Sequence, residues 1–440
     1  MYGINTAYPL SQPDFPKMKR SIQKTGVNTV RKTPIVFRIF HKECLFFPSF
    51  IVCAGFLYYT CENLRNRFIQ PILTGGSMRL YLTGTPCTQK RHCYVVQGDH
   101  LSFIFDCGYQ RAYRGDELPH LSPEQIQQAS YLFITHSHEN QSGALPRLFA
   151  NGFHGRVVLT TETARQLPFP IDDPVILEAM SLPYETFTLP GGLHGVWGRS
   201  GHCSGSAWFR LEENGHSIFF SGDYYGSARV HACDPIVDQN ADLAVLDCSY
   251  GRSPSFSQKA QMDRLIRAIT VALADGRPVL LPVPKFGRGI GILSYICEKL
   301  PYTDVFADTH FITELGHLDA SAMWVRENIQ DVLDSVHVRS IPENLVALGV
   351  YFVSDDQLDS IYARDLVSRL LVCGGRVIFT GTVEPGSRAS LLIHSGQASL
   401  LRYNVHSTQT DMLQLAARNS FSRIIAYDSD FAPTQSIYEF

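Results

Sequence analysis

From Met78 onward the chain alternates short apolar runs with glycines, aspartates and polar turns. "RLYLTG", "HCYVVQG" and "LSFIFDCG" are rich in β-branched and aromatic residues, and their length and punctuation predict strands. "SPEQIQQA" changes the period: Ser122 reads as a helix N-cap, with Glu124 and Gln125 in the first turn. The strand "YLFIT" follows and ends at His136. "GALPRLFANG" reads as a short helix stopped by Gly152, "RVVLT" as a strand and "TETARQL" as another helix. "SAWFRLEENGHSIFFSGD" has the outline of a hairpin, with "ENG" as its turn. From about residue 252 the alternation lengthens. "SQKAQMDRLIRAITVALADG" is a long amphipathic helix and "RPVLLPV" a buried strand. A second α/β unit ends near "GGRVIFTG", and residues 402–440 carry a further strand–helix–strand pattern. Strands interspersed with helices in this way predict an α/β protein with two sheets sandwiched between helical layers.

The first 77 residues do not share this pattern. They contain "CLFFPSFIVCAGFLYYTC", Cys44 to Cys61, 18 residues without a charge. That length is marginal for a membrane span, and Pro48 weakens it. Two readings stand. In one, residues 44–61 anchor the protein in a membrane with the N-terminus in the cytoplasm. In the other, favoured here, translation starts at Met78, because consecutive Gly codons upstream of a Met can encode a ribosome-binding purine run in a bacterial gene. The expectation is then a cytoplasmic protein with no membrane association.

Length and charge narrow the function. A chain of 440 residues accommodates two or three domains. Its eleven cysteines include no CxxC pair, which argues against a disulfide framework or a zinc knuckle and for a reducing compartment. Residues 1–77 hold ten Lys/Arg against three Asp/Glu, leaving 28 basic and 38 acidic residues for the remainder. An acidic body has no general attraction for a polyanion, so a nucleic-acid role requires a local basic lining or bound cations.

The chemistry-bearing residues fall at strand ends, where loops leave a scaffold and sites are built. In "FITHSHENQSG" (133–143), His136 and His138 follow an apolar strand and precede a small-residue turn. His202 lies in the glycine-rich "SGHCSGSA", and Asp223 closes "SIFFSGD". Three imidazoles and one carboxylate make a complete ligand set for zinc or a similar ion. Asp106, ending "FIFDCG", is placed to anchor the histidine-bearing loop as a hydrogen-bond acceptor.

The order "DCG", "THSHENQSG", "GHCSGSA", "FSGD" resembles the metallo-β-lactamase fold. "VLDCSYG", "RPVLLPVPKFGRG", "RVIFTGTVEPGSR" and "YNVHSTQTDMLQLA" are similar to its β-CASP branch of RNA- and DNA-processing nucleases. The resemblance implies a four-layer αββα sandwich at 78–251, a β-CASP insert at 252–398 and a return segment at 399–440. It implies a first metal site of His136, His138, His202 and Asp223, with Asp223 bridging two metals in relatives. It also implies a dyad in which Asp247 orients His406, the proton donor to the leaving oxygen. The ligand implied is single-stranded RNA, or other nucleic acid, held in a cleft between the two lobes.

The chain departs from the family's His-x-His-x-Asp-His run, where Asn140 and Gln141 replace the last two members. Neither amide carries charge, and both are poor ligands beside carboxylate or imidazole. The family's final histidine aligns with Asp428, an oxygen ligand at best. One zinc ion, or manganese in its place, is therefore expected, without a full ligand set for a second. Charge on the scissile phosphate would then be met by protein cations, for which Arg288 in "FGRG" and Arg388 in "PGSR" are the candidates. The reading is a metal-dependent phosphodiesterase, an endo- or exoribonuclease of RNA processing. The alternatives are a non-catalytic scaffold or RNA-binding partner that supports another protein, and a hydrolase of a small substrate.

Overall fold

The computed structural model describes residues 77–83, 92–109, 118–254, 256–329, 331–332, 337–343, 347–427 and 435–440, so the 44–61 segment and Asp428 lie outside the described residues. The first sheet takes β1 (Arg79–Leu82), β2 (Tyr94–Gln97), β3 (Ser102–Phe105), β4 (Ala129–Phe133), β5 (Arg156–Leu159) and β6 (Val175–Ile176) in sequential spatial order. Its early pairs are antiparallel and the β3–β6 pairs parallel. The second sheet is formed by β7 (Thr186–Leu189), β8 (Leu193–Arg199), β9 (Ala207–Glu213), β10 (His216–Phe220) and β11 (Asn240–Asp247). The hairpin predicted from "ENG" is β9–β10, turned by Asn214 and Gly215, both at positive φ.

Helices cover the outer faces of both sheets and the apolar residues of the inner faces meet between them. Phe105 stacks on Phe220 across the sandwich at 4.6 Å between centroids. Behind the first sheet, Ile126, Leu145 and Leu148 of two helices pack on Val95, Ile104 and Leu132. Behind the second, Met412 of the helix Gln409–Ala416 packs with Phe219, Ala244 and Leu246. The layers are therefore α, β, β and α, as the sequence pattern predicts.

The insert is a third sheet: β12 (Val279–Pro282), β13 (Val305–Ala307), β14 (Val338–Ser340), β15 (Val350–Val353), β16 (Arg376–Phe379) and β17 (Ala398–Leu400). All its pairs are parallel, in the order β14-β13-β15-β12-β16-β17. A parallel sheet must be covered on both faces, which is why "VLLP" and "VYFV" are apolar throughout rather than alternating. The helix Gln258–Ala274, capped by Ser257, covers one face with Met262, Leu265 and Ile269. The helix Ile361–Val372 covers the other with Ala363, Leu366 and Leu370.

The last strands return to the sandwich. β18 (Ser420–Tyr427) pairs parallel with β11, and β19 (Ile437–Glu439) antiparallel with β1. The strand expected just after Arg402 is absent: β17 ends at Leu400, and residues 401–408 form no strand. That stretch instead crosses from the insert to the sandwich, and its hydrogen-bonding groups serve the site. No helix among the described residues is long and apolar enough to cross a membrane.

Candidate metal centre

Strand ends position the cluster. Past β4 the chain runs through Thr135 into His136 and His138, the latter N-capping the short helix Glu139–Ser142. His202 sits in the turn between β8 and β9, Asp223 just past β10, and Asp247 at the end of β11. Because β10 and β11 are parallel, with Phe220 beside Val245, their C-terminal ends bring Asp223 and Asp247 to one edge.

His136, His138, His202 and Asp223 each offer one ligand atom, all within 4.8 Å of one another. His138 Nδ1 is 3.0 Å from His136 Nε2 and 3.2 Å from His202 Nε2. Asp223 Oδ2 lies 3.4 Å from His136 Nε2 and 3.6 Å from His202 Nε2. A tetrahedral ion with bonds of about 2.0–2.1 Å needs ligand atoms roughly 3.3 Å apart, so the donor set fits a zinc-sized cation. Burial pushes the His136 and His202 imidazoles well below their usual range and that of His138 to about 4. All three are therefore neutral near pH 7, the state in which imidazole ligates.

The far nitrogens fix the tautomers. His136 Nδ1 meets Thr135 Oγ1 at 3.1 Å, and that hydroxyl donates to Asp106 at 2.9 Å. Asp106 also accepts the Thr135 N–H at 2.8 Å, so it anchors the histidine-bearing loop. Burial pushes the Asp106 carboxyl well up, against the Thr135 hydrogen bonds that hold it down. His202 Nδ1 donates to Val405 O at 3.0 Å and His138 Nε2 to Phe286 O at 3.3 Å. The protonated nitrogens thus face outward and the lone pairs face the centre. Gln166 ties the two histidine loops together, accepting from Ser137 Oγ at 2.6 Å and donating to Ser204 O at 3.0 Å.

His406, on the crossing stretch, places Nδ1 3.5 Å from Asp247 Oδ2 and 3.8 Å from Asp223 Oδ2, and its side chain keeps 12% exposure. Asp247 is held by the N–H groups of Tyr224, Ser249 and Ser407 at 2.9, 2.9 and 3.2 Å. Gln141 is fully buried, and its Nε2 lies 3.4 Å from both carboxylate oxygens of Asp223. An uncharged amide therefore stands beside the Asp223 carboxylate. Asn140 receives the His92 N–H on its backbone carbonyl at 2.9 Å.

Arg288 is buried at the start of the helix Arg288–Lys299, and its Nε and Nη1 have no partner among the described residues. The guanidinium packs so closely on Gly381 that a Cβ there would lie 1.7 Å from Nη1. Its charge helps hold the His138 imidazole down. Arg388, by contrast, is exposed on the first turn of a different helix, with no contact to the cluster among the described residues. Sequence reasoning passes over Thr135, Gln166 and the carbonyls of Phe286 and Val405. It also passes over His92, a buried imidazole pushed down to about 3 by burial, in the field of Asp247 and His406.

An αββα sandwich whose strand ends converge on three imidazoles and a carboxylate, and which carries an all-parallel α/β insert, is the architecture that the resemblance to the metallo-β-lactamase fold and its β-CASP branch leads one to expect. Known proteins agree with that class. The chain is 25% identical over 197 residues to ribonuclease TTHA0252 of Thermus thermophilus, covering 40% of this chain and 46% of that protein. It is 25% identical over 358 residues to the endoribonuclease ysh1 of Emericella nidulans, covering 73% of this chain and 40% of that one. The endoribonuclease YSH1 of Gibberella zeae is 26% identical over 235 residues, 47% of this chain and 28% of that one. The chain thus spans less than half the length of these curated relatives. A solved structure of a protein of unknown function from Enterococcus faecalis superposes with a TM-score of 0.52 at 13% identity, over 81% of this chain and 95% of that one. No family model matches the chain.

Proposed function

We propose that this chain is a metal-dependent ribonuclease that cleaves phosphodiester bonds of single-stranded RNA with one firmly held ion, zinc or, failing that, manganese. The observation that carries the reading is the meeting of the four-ligand cluster with the Asp247–His406 pair within 3.8 Å. A structural metal accounts for the first group and leaves the second without a purpose. Named ribonuclease and endoribonuclease relatives support the same substrate class.

His136 Nε2, His138 Nδ1, His202 Nε2 and Asp223 Oδ2 would hold the ion. When bound, such a cation polarises a phosphoryl oxygen and lowers the pKa of water toward about 7. The remaining work falls to the chain's own groups. His406, with Nδ1 turned to Asp247 and Asp223, offers its other nitrogen as proton donor to the leaving oxygen. Asp247, fixed by three backbone N–H groups, orients that ring and stabilises its charged form. Arg288 supplies a buried guanidinium, whose Nε and Nη1 have no partner among the described residues, to a phosphate oxygen, standing in for the charge of a second cation. The RNA would lie between the sandwich (78–251 and 399–440) and the insert (252–398), where Phe286 and Arg288 of the insert approach His138 of the sandwich.

Two measurements test this. Purified protein should cleave single-stranded RNA and lose that activity to a chelator, regaining it with zinc or manganese. Elemental analysis should find one ion per chain, rising to two in Asn140→Asp/Gln141→His, with cleavage at least as fast. A natural protein that binds metal yet leaves RNA intact, while the double variant cuts, would identify a scaffold. Inertness of both with metal bound would overturn the nuclease reading.

A further inference from the structure

We infer that Glu314 is a positioning residue for the metal centre, acting from the insert through the Phe286–Gly287 peptide to hold the His138 ring. This rests on the reading of His136, His138, His202 and Asp223 as metal ligands. His138 donates from Nε2 to a carbonyl that the insert supplies, Phe286 O at 3.3 Å. That carbonyl and the N–H of Gly287 are opposite ends of one planar peptide unit, so fixing either end fixes the other. Glu314, on the helix Thr309–His317, takes the Gly287 N–H on Oε1 at 2.7 Å.

The next peptide is pinned as well. Gly287 O receives His231 Nε2 at 3.2 Å, and His231 Nδ1 lies 3.4 Å from Ser204 Oγ, two residues past His202. Gly287 itself adopts φ 89° and ψ −89°, a conformation other residues rarely take. A Cβ there would come within 2.7 Å of His202 O and 2.9 Å of Cys203 Cβ. The turn between β12 and the helix Arg288–Lys299 is therefore pressed against the backbone of one ligand while its carbonyl orients another.

Glu314 is a costly residue for packing alone. It is 4% exposed, and its Oε2 has no hydrogen-bond partner among the described residues. Burial pushes its carboxyl up to about 8. An apolar side chain would fill the same volume without an orphaned oxygen, but it could not accept the Gly287 N–H.

The test compares full-length wild type with Glu314→Ala, Glu314→Gln and Glu314→Asp. Zinc affinity is read by chelator competition and ligand geometry by the visible absorption of the cobalt-loaded protein. Disturbing the partners that orient a ligand commonly costs about 10- to 100-fold in metal affinity. Glu314→Ala should weaken zinc binding at least about tenfold and alter the cobalt bands. Glu314→Gln keeps a carbonyl oxygen at the same reach and should restore both. Glu314→Asp keeps the carboxyl but falls one methylene short, and should resemble the alanine variant. If Glu314→Ala does not fold, the Gln and Asp pair carries the comparison. Equal affinity and equal cobalt spectra across the variants would overturn the inference. Wild-type protein that takes up no zinc or cobalt would overturn the ligand reading itself, a separate result.

Discussion

His202→Ala should lower RNA cleavage by at least roughly a thousandfold and bring metal content well below one ion per chain. Loss of a single electrostatic stabiliser in an active site typically costs about a hundred- to thousandfold. This substitution removes one of the four proposed ligands, and with it the cation they would hold. His202 is 4% exposed and joins the sandwich to the crossing stretch through Val405 O at 3.0 Å, so its loss also frees that carbonyl and the stretch that carries His406. The fold should survive. His202 lies in the turn between β8 and β9, while the core between the sheets is made by Phe105, Phe133, Phe209 and Phe220, which it does not support. Circular dichroism should therefore show unchanged secondary structure, with metal and activity lost together. Retained cleavage at wild-type rate, with metal still bound, would remove His202 from the ligand set.

How far the sequence foretells this site depends on whether a group acts through its side chain. The strands β1 to β5, β9 and β10 are legible because they are short apolar runs whose turns carry Asn, Gly and Asp, whereas β7 and β8 are not foretold. β12 is legible because a doubly covered strand is apolar throughout. His136, His138 and Asp223 stand out because they follow such runs, and His202 because it lies in a glycine-rich turn. Phe286 and Val405 leave no trace, since a carbonyl belongs to every residue and only the folded backbone decides where it points. Arg288 and Arg388 both closely follow a glycine, in "FGRG" and "PGSR", yet one is buried and the other exposed. The expected strand after Arg402 does not form. "RYNV" has strand composition, but Asn404 N is taken by Gln261 Oε1 at 2.8 Å and Val405 O by His202, so no ladder is available. Glu314 had a visible signal, a lone carboxylate amid the apolar "HFITELG", though nothing in the string says that its partner is Gly287.

His406→Ala should slow RNA cleavage by about a hundred- to ten-thousandfold, the usual contribution of a positioned proton donor, while metal content stays at one ion per chain. The ring is assigned to the proposed proton-transfer pair because its Nδ1 faces Asp247 Oδ2 at 3.5 Å and His406 is not a member of the four-ligand group. The departing ribose oxygen leaves as an unstable alkoxide unless a proton reaches it as the P–O bond breaks. An aryl phosphodiester such as bis(p-nitrophenyl) phosphate releases a phenolate that needs no such help. The penalty for His406→Ala should accordingly shrink toward unity on the aryl substrate while remaining large on RNA. Asp247→Asn is the less informative variant. Its carboxylate already accepts from Tyr224, Ser249 and Ser407, so an amide would turn an NH2 group onto backbone donors and disturb the loop as well as the ring. An equal loss on both substrates would mean that His406 acts on the structure of the site or on phosphate binding, and the proton would have to come from elsewhere.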